Sequence, residues 1–457
     1  MKRIVILGGG ESGAGAAVLA KKEGFDVFLS DMSPIKDKYK QWLDDWHIDY
    51  EEGHAHTESL ILNADEVIKS PGIPLTAPLV AKLIAQGTPI ISEIEFAGRY
   101  SDAKMICITG SNGKTTTTMM TYHILKSAGL NVGLAGNVGK SLAYQVATEH
   151  FDYYVIELSS FQLDNMYDFK ADISVIMNIT PDHLDRYGFE MQNYIDAKMR
   201  ILQNQEPKEH FIYWHEDPVV TKEIEKRSPL QMQMIPFSGK DAQELGGSLT
   251  PGACIKDGKM VVNLADQTIA IDLTDLPLPG PHNLYNTMAA TIAAGLSGVK
   301  EEQIRQALKT FKGVEHRLEK CGIVDGVTYI NDSKATNVNS CWYALMSMTT
   351  PTVLILGGKD KGNDYTEIEE LVRTRCTALV YMGLHNEKLH DFFDKMGKPV
   401  ADALSMREAL DKCRAFARPG DTILLSPCCA SFDLFKSYED RGDQMKAIVA
   451  EWEAAGK

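Results

Sequence analysis

Gly110, Ser111, Asn112, Gly113, Lys114 and Thr115 follow an apolar run at 104–108 and open a threonine-rich stretch that reads as a helix. That strand-to-helix context is what a phosphate loop needs. Small residues let backbone amides turn inward onto phosphate oxygens, and the helix N-terminus adds partial positive charge. Lys114 is placed to reach the terminal phosphates of a nucleotide, and the Thr115 hydroxyl to ligate Mg2+. The full eight-residue form of such a loop begins with glycine, where this chain has Ile108.

A second glycine turn precedes it. Gly8, Gly10 and Gly13 follow the apolar residues 4–7, and Asp31 closes the next apolar run, a spacing that fits a dinucleotide-binding fingerprint. A mononucleotide or a nucleotide-sugar diphosphate would use the same helix terminus, and glycine also serves close helix packing, so the spacing establishes anion binding and nothing narrower. Glu157 ends the strand after the threonine-rich helix, with Ser159 and Ser160 beyond it, a suitable place for a carboxylate ligand to Mg2+. Thr180-Pro181-Asp182-His183-Leu184-Asp185 also follows a strand and gathers carboxylates and an imidazole where a second metal could sit. By itself, a lone histidine is more often a hydrogen-bonded structural residue.

The elements that must position these groups alternate short apolar runs with helix-period stretches from end to end, the pattern of βαβ units and mostly parallel sheets. The fold class is α/β in three domains. Strands at 4–7, 26–30 and 65–68, with a break near 98–102, mark a Rossmann-like domain over residues 1–100. Strands at 104–108, 153–157 and 173–178 belong to a central phosphate-loop ATPase-like domain with a mostly parallel sheet, residues 101–313. Within it, 228–275 reads as small antiparallel strands of no legible function, followed by helices at 283–296 and 301–311 and a hinge at 312–314. Strands at 327–330, 352–356, 378–382 and 422–425 make a third, Rossmann-like α/β domain, residues 314–457. Ligands of such open sheets sit at the carboxyl ends of strands.

A chain of 457 residues suits several domains of roughly 100 to 200 residues each. No stretch is apolar over the roughly 20 residues needed to span a bilayer. The run after Lys2 and Arg3 stops at three glycines, too short for a signal peptide, which predicts a cytoplasmic protein without membrane insertion. A net charge of −15 argues against nucleic acid or an anionic membrane as partner, so an anionic ligand must be held locally. The eight cysteines are scattered, with Cys428-Cys429 their one close pair, and read as reduced and buried.

Taken in order, these motifs resemble the Mur ligase family, ATP-dependent amide-forming enzymes of peptidoglycan precursor synthesis. The resemblance runs from residues 109–115 through Glu157-Leu158-Ser159-Ser160-Phe161-Gln162 and residues 178–186. It continues at Gly280-Pro281-His282-Asn283-Leu284-Tyr285-Asn286, Glu315-His316-Arg317, residues 331–337, and Ser426-Pro427-Cys428-Cys429-Ala430-Ser431. The missing glycine at 108 is itself how this family's loop looks. Lys334, Thr336 and the Ser-Pro segment near the end are most similar to the members that add D-glutamate to UDP-N-acetylmuramoyl-L-alanine.

The resemblance implies that a substrate carboxylate attacks the γ-phosphate of ATP and that the incoming amine then displaces phosphate from the acyl phosphate. It implies ATP binding by Gly110, Ser111, Asn112, Gly113, Lys114, Thr115 and Thr116, with Asn286 and Asp332 at the adenosine and Arg317 and Lys334 around the phosphates. Lys114, His183, Lys198 and Arg317 would be catalytic. Thr115, Glu157, His183 and Lys198 would hold two Mg2+, Lys198 as a carbamate formed with CO2; read from the residues alone, Lys198 is an ordinary helix-surface lysine. Glu11, Ser12, Ser70, Pro71, Gly72, Asn137 and His183 would face the UDP-sugar, and Thr336, Lys361, Ser431, Phe432 and Tyr438 the D-glutamate. The family often has a basic residue where this chain reads Asp31-Met32-Ser33-Pro34. A monomer is expected. The competing readings are a related ligase with another amino acid or acceptor, which would turn over ATP with a different amine, and an NAD-dependent oxidoreductase, which would need neither ATP nor Mg2+.

Overall fold

The structure, a computed structural model, describes residues 1–360 and 362–456. The chain forms two compact units: Met1–Pro277 with Asn283–Phe311, and Leu278–His282 with the chain from Lys312 onward.

The first unit holds two sheets. Strands β1 (Arg3–Leu7), β2 (Asp26–Asp31), β3 (Asp49–Glu52), β4 (Glu66–Lys69) and β5 (Ile90–Ile91) are parallel in the order β3-β2-β1-β4-β5. Their apolar runs are buried because helices cover the sheet, as in any parallel sheet. The second sheet comprises β6 (Lys104–Thr109), β7 (Val132–Gly136), β8 (Tyr153–Glu157), β9 (Ile173–Ile176), β10 (His210–Trp214), β11 (Gln233–Asp241), β12 (Gly252–Lys256), β13 (Lys259–Asn263) and β14 (Thr268–Asp272). Its order is β14-β13-β12-β11-β10-β9-β6-β8-β7. β12, β13 and β14 form antiparallel hairpins, as expected for 228–275. β11 differs: it pairs in parallel with both β10 and β12, because its alternating buried residues Ile235 and Phe237 let it extend the main sheet.

In each of these two sheets the strand leading into a glycine turn is flanked on both sides by later strands of the chain. β1 lies between β2 and β4, and β6 between β8 and β9. These are topological switch points, where flanking loops diverge and leave a crevice at the carboxyl ends. Helix Glu11–Lys22 packs against helix Leu142–Thr148, with Gly15 so close that an added Cβ would lie 2.1 Å from Ser141 Oγ. Trp42 stacks on Tyr144 at 3.7 Å, and buried Glu93 accepts hydrogen bonds from Ser141 Oγ and the Ala143 amide, both 2.7 Å.

The second unit has β15 (Glu319–Val324), β16 (Val327–Asn331), β17 (Thr352–Gly357), β18 (Cys376–Met382), β19 (Val400–Ala403) and β20 (Thr422–Cys428), ordered β15-β16-β20-β17-β18-β19. Among the described residues of this sheet, only β15 runs antiparallel to its neighbour. β20 continues three residues past the expected end at 425, through Pro427; a register shift against β17 between Ile355 and Gly357 accommodates a residue that cannot donate to the ladder. No described helix is long and apolar enough to cross a membrane.

Candidate active site

The phosphate loop joins β6 to helix Lys114–Ser127. Its reversal requires glycine twice: Gly110 has φ +148° and Gly113 +82°, and a Cβ at Gly113 would come within 2.5 Å of Asn286 Oδ1. The loop is braced from the neighbouring strand end. Asn178 accepts from the Asn112 amide (2.9 Å) and donates to the Asn112 carbonyl (3.1 Å), while Ser111 Oγ donates to the Thr180 carbonyl (2.8 Å) and lies 3.0 Å from the Tyr194 hydroxyl. Lys114 Nζ donates to the carbonyls of Gly110 and Ser111, both at 2.8 Å. Thr115 and Thr116 are buried in the first helical turn, and Asn286 Oδ1 accepts from Thr117 Oγ1 (3.2 Å). Asn286 therefore lies directly behind the loop. Asn178 and Tyr194 were assigned no role from sequence; the signal for Asn178 was its position just past β9, beside the central strand.

Glu157 ends β8 and is 1% exposed. One carboxylate oxygen accepts from Asn137 Nδ2 at 2.7 Å, whereas Oε2 is buried without a hydrogen-bond partner among the described residues. An unsatisfied buried carboxylate oxygen is costly unless a cation meets it. Lys198, on helix Met191–Met199, is 2% exposed and donates to the Gly110 carbonyl at 2.7 Å, so it is no surface lysine. Burial, reinforced by the positive charge of Lys114, holds its amine well below the ordinary lysine range, against the opposing pull of Asp182, Glu157 and Asp164. The same group is thus near the phosphate loop and within the field of three carboxylates, with burial disfavouring its charged form.

His183 adopts φ +52° at the start of the 3-10 turn Leu184–Tyr187. Its ring meets Phe161 edge-on at 5.3 Å, and Nε2 is 3.7 Å from Asp182. Phe161, Tyr187, Tyr194 and Ser111 continue as a chain of ring contacts and one hydroxyl contact back to the phosphate loop. The first glycine turn is built differently. Gly13 packs so tightly that an added Cβ would lie 1.8 Å from the Gly8 carbonyl oxygen, and Asp31 Oδ2 accepts from the Gly9 amide at 2.6 Å. Glu11 opens the helix and accepts from the Tyr39 hydroxyl (3.0 Å); Ser12 follows it, half-buried. Ser70 lies against Gly8, and Pro71 and Gly72 follow it in the loop after β4.

The second unit gathers a separate group. Asp332 is 2% exposed, accepts from Ser426 Oγ (2.8 Å) and the Leu318 amide (3.2 Å), and is raised to about 6 by burial, with Arg317 opposing. Arg317 Nε is buried without a partner among the described residues, and with burial it depresses His282 to about 4. Lys334 Nζ stands 5.4 Å over the Tyr438 ring, whose backbone carbonyl accepts from Ser333 Oγ (2.8 Å). Arg441, fully buried, donates to Ser333 and to the Cys429 carbonyl, tying residues 331–334 to the end of β20. Its position inside helix Tyr438–Ala454 carried no sequence signal. Thr336 is half-buried, Ser431 buried and Phe432 70% exposed. Lys361 lies outside the described residues.

A glycine-lysine-threonine turn at the switch point of a parallel sheet, faced by a buried carboxylate, defines an α/β phosphate-loop nucleotide enzyme. Residues 3–77 match the MurD N-terminal domain, 108–294 the Mur ligase middle domain, and 316–429 the Mur ligase glutamate ligase domain. The UDP-N-acetylmuramoylalanine--D-glutamate ligase of Bacteroides thetaiotaomicron is 66% identical over 454 residues, 99% of this chain and 100% of that one. The ligase of the same name from Porphyromonas gingivalis is 56% identical over 446 residues, 98% of each chain. Among solved structures, a pseudomurein peptide ligase type C from Methanothermus fervidus shares the fold at 22% identity and a TM-score of 0.60, over 93% of this chain and 96% of that one. The chain belongs to the Mur ligase family.

Proposed function

We propose that this protein joins D-glutamate to the carboxylate of UDP-N-acetylmuramoyl-L-alanine, cleaving ATP to ADP and phosphate, as a cytoplasmic monomer in peptidoglycan precursor synthesis. The observation that carries the reading is the end-to-end match, at 66% identity, to a relative named for that reaction. Residues 1–100 would hold the nucleotide-sugar, 101–313 ATP, and 314–457 the amino acid.

A carboxylate carbon is a poor electrophile, so the reaction must activate it. One substrate carboxylate oxygen attacks the γ-phosphorus, the bond to the ADP oxygen breaks, and an acyl phosphate forms. The neutral amine of D-glutamate then attacks the acyl carbon; the tetrahedral intermediate expels phosphate and the nitrogen gives up a proton, leaving the amide. The loop amides of residues 110–115 and the Lys114 ammonium cradle the phosphates and take up the charge that develops on the transferring group.

The donor set fits Mg2+. Glu157 Oε2 is a buried carboxylate oxygen without a hydrogen-bond partner among the described residues, and Thr115, His183 and Lys198 offer the remaining ligands carried by the family resemblance. When bound, Mg2+ neutralises phosphate charge and orients the γ-phosphoryl. Lys198 can serve only as an anion. Burial, then the charge of Lys114, disfavours its ammonium form; the free amine can add its lone pair to CO2 and lose a proton, giving a carbamate with two oxygen ligands. In the other unit, Arg317, Asp332 and Lys334 are assigned to ATP, and Thr336, Lys361, Ser431, Phe432 and Tyr438 to D-glutamate. Glu11, Ser12, Ser70, Pro71, Gly72, Asn137 and His183 are assigned to the nucleotide-sugar.

Phosphate release from ATP with Mg2+ tests the reading when each substrate is omitted in turn and D-glutamate is replaced by L-glutamate, L-lysine or diaminopimelate. Release should require all three substrates and the D enantiomer. Turnover indifferent to D-glutamate would sink the assignment.

A further inference from the structure

Lys69, the last residue of β4, is 3% exposed, and none of the assigned roles uses it. Among the described residues its ammonium donates to two backbone carbonyls, those of Ser70 (3.2 Å) and Ile73 (2.7 Å). Arg186 covers the two carbonyls between them, reaching Pro71 at 3.3 Å and Gly72 at 3.4 Å while lying 4.5 Å from the centre of the Phe161 ring. Four successive carbonyls therefore face two cations. Asp164, at the C-terminal cap of helix Ser160–Leu163 and held by the Tyr187 hydroxyl at 2.9 Å, attracts both cations.

A buried ammonium is expensive, and the turn does not need one to close, because the Ile73 amide already donates to the Ser70 carbonyl at 3.1 Å. What the charge adds is a pull on the orientation of these carbonyls. A trans peptide is planar, so a Pro71 carbonyl aimed at Arg186 points the Gly72 N–H the opposite way. Ser70 is pressed against the first glycine turn, since a Cβ on Gly8 would fall 2.4 Å from Ser70 Oγ. An anion beside this loop would be repelled by carbonyl oxygens and attracted by amide and hydroxyl groups, with two cations behind them raising the local potential.

We propose that Lys69 is a positioning residue for the nucleotide-sugar diphosphate: its charge, with Arg186 beyond it, turns the carbonyls of residues 70–73 inward so that the loop offers Ser70 and the Gly72 amide to the anion. The inference rests on the D-glutamate ligase reading for the identity of that anion. Burial and Arg186 bring the Lys69 ammonium down to about 8, with Asp164 opposing, so the grip weakens as pH rises through that value.

Full-length Lys69→Met and Lys69→Arg are compared with wild type by steady-state kinetics and by calorimetric binding of UDP-N-acetylmuramoyl-L-alanine. Lys69→Met should raise KM and Kd for this substrate about tenfold, with KM for ATP and D-glutamate within about twofold. Lys69→Arg should recover most of the loss. Between about pH 7 and pH 9, wild-type Kd should rise while Lys69→Arg, whose guanidinium stays charged, stays flat. Equal pH profiles for the two, or a parallel rise in all three KM values, would overturn the proposal. Should Lys69→Met fail to fold, the arginine comparison decides alone. A wild-type chain that binds the UDP-sugar in this pattern but releases no phosphate with D-glutamate refutes the assigned reaction and leaves Lys69 in its role.

Discussion

The first unit contains two glycine turns of the same plan, each leading from the central strand of a parallel sheet into a helix, and they differ in charge. The turn after β1 opens its helix with Glu11 and has its Gly9 amide occupied by Asp31. The turn after β6 opens with Lys114 and has Lys198 against the Gly110 carbonyl. Helix dipoles favour anions at both places, but carboxylates at the first would oppose a triphosphate, whereas the Lys114 ammonium at the second suits one. Glycine geometry makes an anion site possible; the charged residues decide which anion.

The largest expected effect comes from removing the charge at the second turn. Lys114→Ala should lower kcat by about a thousandfold or more, since phosphoryl transfer depends on electrostatic positioning, while UDP-sugar binding measured by calorimetry stays intact. Comparable loss of both would erase the division of labour. Lys198→Ala should cost about a hundredfold, with small carboxylic acids restoring part of the rate by supplying the missing oxygens. An unaffected variant would remove Lys198 from the metal site.

At the first turn the expected effects are structural. Gly13→Ala places a Cβ against the Gly8 carbonyl oxygen at 1.8 Å and should destabilise by about 3 kcal/mol. At Gly10 a Cβ would meet nothing within 4 Å, and Gly10→Ala should stay within about 0.5 kcal/mol in denaturant melts. Equal effects would mean that the spacing does not serve helix approach.

The smallest effect is electrostatic. Burial, then the hydrogen bond to Glu11, raises the Tyr39 hydroxyl to about 12. A raised folded value favours the protonated phenol, so this contribution is complete below the ordinary tyrosine value and lost as pH rises through about 12. Glu11→Gln removes the charge and should bring the ultraviolet titration midpoint of Tyr39 part of the way back. An unchanged midpoint would show that burial alone sets it.

The phosphate loop was legible because its strand, glycines, lysine and threonine are contiguous and each follows from local geometry. Strand cores such as 4–7 and 153–157 were legible for the same reason: buried parallel strands are written as short apolar runs. What could not be read is whatever depends on residues far apart in the chain. Asn178 bracing Asn112, Glu11 meeting Tyr39, and Lys69 sharing a loop with Arg186 all require the fold to bring them together. Lys198 shows the limit most plainly, since its helix reads as ordinary and only burial beside Gly110 and Lys114 changes its chemistry. The strand expected at 422–425 runs on to Cys428, because a register shift against β17, which no local pattern announces, accommodates Pro427.

The central claim is that the second turn delivers a phosphoryl group from ATP to the carboxylate of the UDP-sugar held at the first. It is tested by oxygen-18 in both oxygens of the substrate's alanyl carboxylate. Passage through an acyl phosphate predicts that one labelled oxygen leaves in the released phosphate and the other stays in the amide. Phosphate free of label, in a reaction that still forms the D-glutamyl amide, would contradict the account.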